Sequence, residues 1–458
     1  MLLTVSSLCI AFLVARINIF ISPVIVLSIF GILFTVTVFY DYRWGFYGGV
    51  VLTSIMFYFE RIIPVGIPYG VVCDLSFVLA FLSLLFNKRE KQWVEFVKHP
   101  ITLVYLLIFA YQLFQIFNPN AVSLSGWLVS IRALVFPLIM LTSLALIASF
   151  SGLKLLMKVW LLIATVAGLY GIFQEFFGLT GFEMRWVTAD PLRYGLYFIL
   201  GHMRTFSFLS DPASFGVFMA YSSLAAFCLM FAPLSPVKRF FLGLCSFIMA
   251  FSMIYSGTRT AYAMVLLGIV FFILITLRKK VTFIVAFLLI GAFLVLMFGP
   301  FYNQSVMRLR SAFRPSADAS MDVRDVKRAN LQPYIWAHPM GGGMNTTGSA
   351  GVKYSAGHQL AGGWDTDSGY LKVALEQGWI GLTLLMIFFM MVMVKGINNY
   401  FNLSDPMLQA YNLAFLIPFF AVSIGNFTQI AILYKPLYIF VITTYAVIIG
   451  IEKLKTPR

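Results

Sequence analysis

An all-α polytopic membrane protein is the fold class that the sequence predicts, on three observations. Of 458 residues, 61% are hydrophobic and 11% charged, whereas a soluble globular chain carries about a quarter charged residues. The apolar residues gather in runs of about 20, the length a helix needs to cross a bilayer. Lys and Arg recur in alternate short connections, the asymmetry that orients such helices.

The runs lie near 2–20, 22–40, 44–59, 70–86, 101–117, 127–150, 155–173, 214–232, 239–255, 260–277, 281–299, 378–395, 407–424 and 435–451. That makes about fourteen spans, or twelve to fourteen because only residues 16–22 separate the first two. The N-terminal run lacks a basic flank and a small-residue cleavage pattern, and reads as a retained segment. Lys88, Arg89, Lys91 and Lys98, then Lys154, Lys238 and Arg239, Arg278 to Lys280, Lys395, and Lys453 with Lys455 fall in alternate loops. They mark one cytoplasmic face, with both termini on it.

Two connections on the opposite face are long. One, 174–214, carries Arg185, Arg193 and Arg204; the other, 300–377, carries Arg308, Arg310, Arg314, Arg324, Lys327, Arg328, Lys353 and Lys372. They divide the chain into N-terminal helices (1–173), central helices with Arg-bearing loops (174–299), a large partly helical loop (300–377), and C-terminal helices with a tail (378–458). The net charge of 32 − 17 = +15 thus splits into an orienting part and a loop part, and nucleic acid drops out as a partner. Basic loops beside a bilayer suit an anionic ligand such as a lipid phosphate.

Cys9, Cys73, Cys228 and Cys245 sit in apolar runs without CxxC spacing, and the four histidines form no HxxxH pair. Neither a disulfide framework nor a protein-held metal is suggested, and no cofactor is expected.

Several polar segments remain. Asp211-Pro212 reads as a helix start, with Arg204 seven residues before it. Ser256-Gly257-Thr258-Arg259 is a turn between two spans with no acidic residue within ten positions of Arg259, so a bound anion or a distant carboxylate must receive that charge. Residues 307–314 alternate basic and apolar as an interfacial segment would. Residues 318–337 read as an amphipathic helix stopped by His338-Pro339. Gly341-Gly342-Gly343 reads as a turn, either a hinge or a nest of N–H groups open to an anion. Asp367-Ser368 opens the next helix: Asp367 or Ser368 can cap it, and Asp367 is alternatively a proton acceptor. His358 and His338 are rival bases. Tyr334, Trp336, Trp364 and Tyr370 could stack on sugar rings.

Four features follow one another along the chain. Arg204 precedes the helix start Asp211-Pro212-Ala213-Ser214-Phe215-Gly216, and the Ser-Gly-Thr-Arg turn comes next. His338-Pro339 then leads into the triple glycine, and Asp367-Ser368-Gly369-Tyr370-Leu371 precedes Glu376-Gln377-Gly378 and Gly381. Over about residues 200–395 this order resembles the O-antigen ligase and Wzy-type polysaccharide polymerase superfamily.

The resemblance implies a metal-independent membrane glycosyltransferase of the GT-C type in the bacterial inner membrane, working on its periplasmic face with polyprenyl-diphosphate-linked glycans. It implies that Arg204 and Arg259, with Arg328 as a further candidate, bind the donor diphosphate, and that a residue of the large loop activates the acceptor. Many ligases have His-Asn where this chain has Asp367-Ser368, which leaves the base role to Asp367 or another group and favours a polymerase. A ligase that moves finished glycan to a lipid or protein is the alternative within the enzyme class, and a flippase or exporter of lipid-linked glycan is the alternative outside it. Expected partners are the lipid-linked donor, a glycan acceptor, the bilayer, and a chain-length regulator or export machinery.

Overall fold

The computed structural model describes residues 21–63, 69–86, 94–199, 201–277, 279–300, 310, 319–362 and 366–454. The run at 2–20, Cys9, the cluster 88–91, all of 307–314 except Arg310, and Trp364 lie outside the described residues.

The described residues are all-α apart from one small hairpin. Its helices are α1 (Ile21–Tyr40), α2 (Tyr42–Ile62), α3 (Tyr69–Phe86), α4 (Pro100–Phe114), α5 (Leu124–Leu146), α6 (Phe150–Phe177), α7 (Gly181–Thr188) and α8 (Pro191–Tyr197). After the strands Phe198–Ile199 and His202–Met203 come α9 (Pro212–Met230), α10 (Pro236–Tyr255), α11 (Arg259–Thr276), α12 (Lys280–Phe298), α13 (Ala319–Ala337), α14 (Gly348–Tyr354), α15 (Gly369–Asn402), α16 (Pro406–Gly425) and α17 (Leu437–Gly450). The starts follow local chemistry. Asp190, Asp211 and Asp405 each accept first-turn N–H groups just before a proline that fits the first helical position.

Among the described residues nine helices are long and apolar enough to cross a membrane. Helix α2 carries Arg43, Glu60 and Arg61 near its ends, and α17 has only 14 residues, so neither belongs to the nine. Every residue of α17 is buried, and α9 and α16 are buried along most of their length. These three form the centre, and Trp160 of α6 plugs into it. Its ring stacks on Phe440 at 5.0 Å, and its indole N–H donates to Ser222 at 2.9 Å. Around them, α10 and α12 turn large apolar side chains outward, including Phe240, Phe247, Phe283 and Phe287. Such faces suit hydrocarbon rather than water.

The two ends of the bundle differ. At one end Lys395 pairs with Glu452 at 2.6 Å and Lys453 with Glu95 at 2.9 Å, gathering residues that the charge pattern puts on one face. At the other, the loop end, lie residues 204–211, the turn 256–258, the triple glycine and the 425–436 connection.

One boundary differs from the sequence reading. The span expected at 378–395 belongs to a helix that begins at Gly369 and is broken at Gly378, where φ is 70° and ψ −176°. A Cβ at Gly378 would overlap the Pro339 carbonyl, so the break is where the large loop docks.

Candidate functional site

The first wall of the site is the segment leading into α9. Asp211 Oδ1 accepts the N–H groups of Ala213 and Ser214, both at 2.9 Å, and the Ser214 hydroxyl reaches back to the Asp211 N–H at 3.2 Å. Asp211 is therefore a cap. Below it, Arg61 of α2 is 4% exposed and donates to the carbonyls of Ser207 (2.9 Å), Leu209 and Ser210 (3.3 Å). Its guanidinium also lies over Phe206 at 4.4 Å and Trp186 at 4.8 Å. From α6, Gln174 Oε1 accepts the Ser207 N–H at 2.7 Å while its amide donates to Glu183 at 2.8 Å. The loop is thus held by side chains from α2, α6 and α7.

Arg204 joins this wall to the Ser-Gly-Thr-Arg turn. Its Nε donates to the Ser256 carbonyl at 2.7 Å, one terminal nitrogen to the Leu196 carbonyl at 3.2 Å, and the other to Thr258 Oγ1 at 3.1 Å. Thr258 in turn donates to the Pro212 carbonyl at 3.0 Å. Arg204 is thereby fixed beside the turn that ends in Arg259, the first residue of α11.

The second wall is the start of α15 with the connection between α16 and α17. Ser368 is the cap here: its Oγ accepts the Leu371 N–H at 3.3 Å, and the Gly369 N–H donates to the Asn426 carbonyl at 2.9 Å. Asp367 is left exposed at the turn. Tyr434 belongs to the connection between α16 and α17. Burial above all, then the negative charges of Asp211 and Asp367, push its hydroxyl pKa up, while Arg204 opposes them. One phenol therefore feels Asp211, Asp367 and Arg204 together. Thr260 and Thr428 tie the walls with a hydroxyl contact of 2.8 Å, and Arg328 adds a bond to the Phe427 carbonyl at 3.3 Å with its guanidinium over the Phe427 ring.

The other candidates lie apart. His358 is 6% exposed, and its Nδ1 accepts the Leu360 N–H at 3.0 Å, which makes it a packing residue of the large loop. His338 stacks on Tyr334 at 4.0 Å and holds its Nδ1 2.9 Å from the Tyr334 carbonyl; that contact occupies one face of Tyr334. The Tyr370 hydroxyl donates to the Ser423 carbonyl at 2.6 Å and its ring packs near Phe389. Trp336 is 73% exposed and open to a ligand. The triple glycine is neither hinge nor open nest: its N–H groups donate to the carbonyls of His338, Leu375 and Glu376. Among the described residues no three of His, Cys, Asp and Glu are placed to hold a metal ion.

Residues 244–386 match the O-antigen ligase family model. The match supports placement in the O-antigen ligase and Wzy-type superfamily, and with it a glycan-transfer role and a glycosyltransferase-like enzyme. It takes in Arg259, the triple glycine and Asp367, whereas Arg204 and Tyr434 come from outside the matched segment. No curated protein matches the chain.

Two groups were invisible to sequence reasoning. Arg61 and Tyr434 sit at the edges of apolar runs. A charged or phenolic residue at a span's loop end is the only signal that could have found them.

Proposed function

We propose that the protein is a polysaccharide polymerase that transfers a growing glycan from a polyprenyl-diphosphate donor to a sugar hydroxyl of a second lipid-linked repeat unit, on the periplasmic face of a bacterial cytoplasmic membrane. The observation that carries this reading is that Arg204, fixed beside the turn that ends in Arg259, and Asp367, next to the Ser368 cap, both act on Tyr434. In the reaction the acceptor oxygen attacks the anomeric carbon, the bond from that carbon to the diphosphate breaks, and the acceptor proton passes to the Asp367 carboxylate. Arg204 and Arg259 stabilise the leaving diphosphate, a task for which the planar guanidinium is suited. Arg328 braces the second wall, and Trp336 offers a face to a sugar ring.

Reconstitution with purified polyprenyl-diphosphate repeat units as sole substrate tests the reading. A ladder of longer lipid-linked glycans is expected, and its rate should fall about 10²-fold or more in Asp367→Asn, the scale of a lost general base. Arg259→Ala should fall comparably. Near wild-type extension in Asp367→Asn places the base elsewhere. The family match, to O-antigen ligase, favours a second reading, en bloc transfer to a lipid or protein acceptor; product that forms only when such an acceptor is added supports it. Movement of the lipid-linked glycan without any product supports a flippase.

A further inference from the structure

A cavity of about 590 Å³ lies beside the 425–436 connection, within the range of small-molecule sites. Part of its lining is an aromatic cluster: Tyr105 stacks on Phe388 at 5.0 Å, and Tyr445 lies 4.7 Å from Phe388. It also carries Asp74, Arg132, Lys372, Glu376 and Lys435. Four of these charges pair off. Arg132 grips Asp74 through Nε at 2.9 Å and a terminal nitrogen at 2.5 Å. Lys372 lies 4.0 Å from Glu376, which also accepts the Thr347 hydroxyl at 2.6 Å. Lys435 is the remainder; among the described residues no carboxylate forms an ion pair with it, although Asp74, Glu60 and Arg132 act on it from farther off. A cation left over beside aromatic walls calls for an anion that brings apolar surface with it.

The connection also separates two environments. Tyr434 is extended, with φ −63° and ψ 138°, and it and Lys435 meet different charges. Tyr434 feels Asp211, Asp367 and Arg204, while Lys435 feels Asp74, Arg132 and Glu60. Gly369, two residues from Asp367, lines the cavity.

We infer that this cavity is a second lipid-phosphate site, in which Lys435, with Arg132 oriented by Asp74, holds the phosphate of a polyprenyl-linked substrate and the aromatic cluster holds its first isoprene units. The role of that molecule as acceptor rests on the glycan-transfer reading; its binding does not. The test uses the full chain in nanodiscs and a benzophenone-bearing geranylgeranyl diphosphate, with labelling read on the peptide that contains Phe388 and Phe389. Labelling should fall about tenfold in Lys435→Gln, the scale of a lost charged hydrogen bond, and return in Lys435→Arg. Farnesyl phosphate should protect where inorganic pyrophosphate at equal concentration does not. Unchanged labelling in Lys435→Gln overturns the site, and equal protection by pyrophosphate overturns the lipid in favour of a free anion. Lys435-dependent labelling in a protein that makes no polymer removes the polymerase reading and leaves the site standing.

Discussion

His358 illustrates how a residue that looks catalytic in sequence is spent on packing. Burial, with a smaller push from His338, lowers its pKa below the ordinary 6.5, and a backbone hydrogen bond to Asn120 opposes the shift. The folded state therefore prefers the neutral ring. Above pH 6.5 the ring is neutral in both states and its contribution is intact. As pH falls through about 6.5 the unfolded chain takes up the proton first, so stability is lost toward the lower folded pKa. Thermal unfolding in nanodiscs should show a midpoint that drops as pH falls below about 6.5, and the drop should shrink in His358→Gln. An unchanged pH slope in that variant would mean that another group titrates. At this scale Asp211 was legible, because Asp-Pro before an apolar run has one common use. The choice between Asp367 and Ser368 was not, since either oxygen can cap and only the chain's path decides which one does. Arg61 was illegible for the same reason: its three carbonyl partners come from a loop some 150 positions away.

At the scale of elements, the break in α15 joins the large loop to the membrane helix where the apolar pattern shows only an end. Gly378 adopts φ 70°, and the Pro339 carbonyl occupies the place of a Cβ. Gly341 approaches the same break from the other side, and the N–H groups of Gly342 and Gly343 close on the carbonyls of Leu375 and Glu376. The glycines therefore seat the large loop on the helix that carries Asp367 at its start. Gly378→Ala should cost about 1–3 kcal/mol from backbone strain and weaken glycan transfer by releasing the loop. Gly181→Ala, at a position with nothing within 4 Å of a new Cβ, should cost almost nothing. Limited proteolysis of the two variants in nanodiscs separates them; equal resistance would mean that the loop docks without Gly378. A run of glycines in sequence announces a turn, but which carbonyls it meets is a tertiary fact, and the hinge and nest readings both failed on it.

Across the whole molecule, the charge pattern was the most legible feature. Lys395 and Lys453 come together at one end, and the arginine-bearing loops at the other, because the cost of moving charge through hydrocarbon acts on sequence and structure alike. The centre was less legible, since α9, α16 and α17 are apolar all round and carry no stripe to show which helices surround them. Trp160 supplies what their pattern lacks: it meets Tyr221, Phe415 and Phe440 at 5.0–5.5 Å and donates to Ser222. If aromatic packing holds this centre, removing the ring and removing its hydrogen bond must differ in cost. Trp160→Ala should destabilise by about 3–5 kcal/mol, as large-to-small core changes do, whereas Ser222→Ala should cost about 0.6 kcal/mol, the mean for hydrogen bonds between membrane helices. Equilibrium unfolding in bicelles measures both. Equal losses would mean that the hydrogen bond, not the stacked rings, joins α6 to the three central helices.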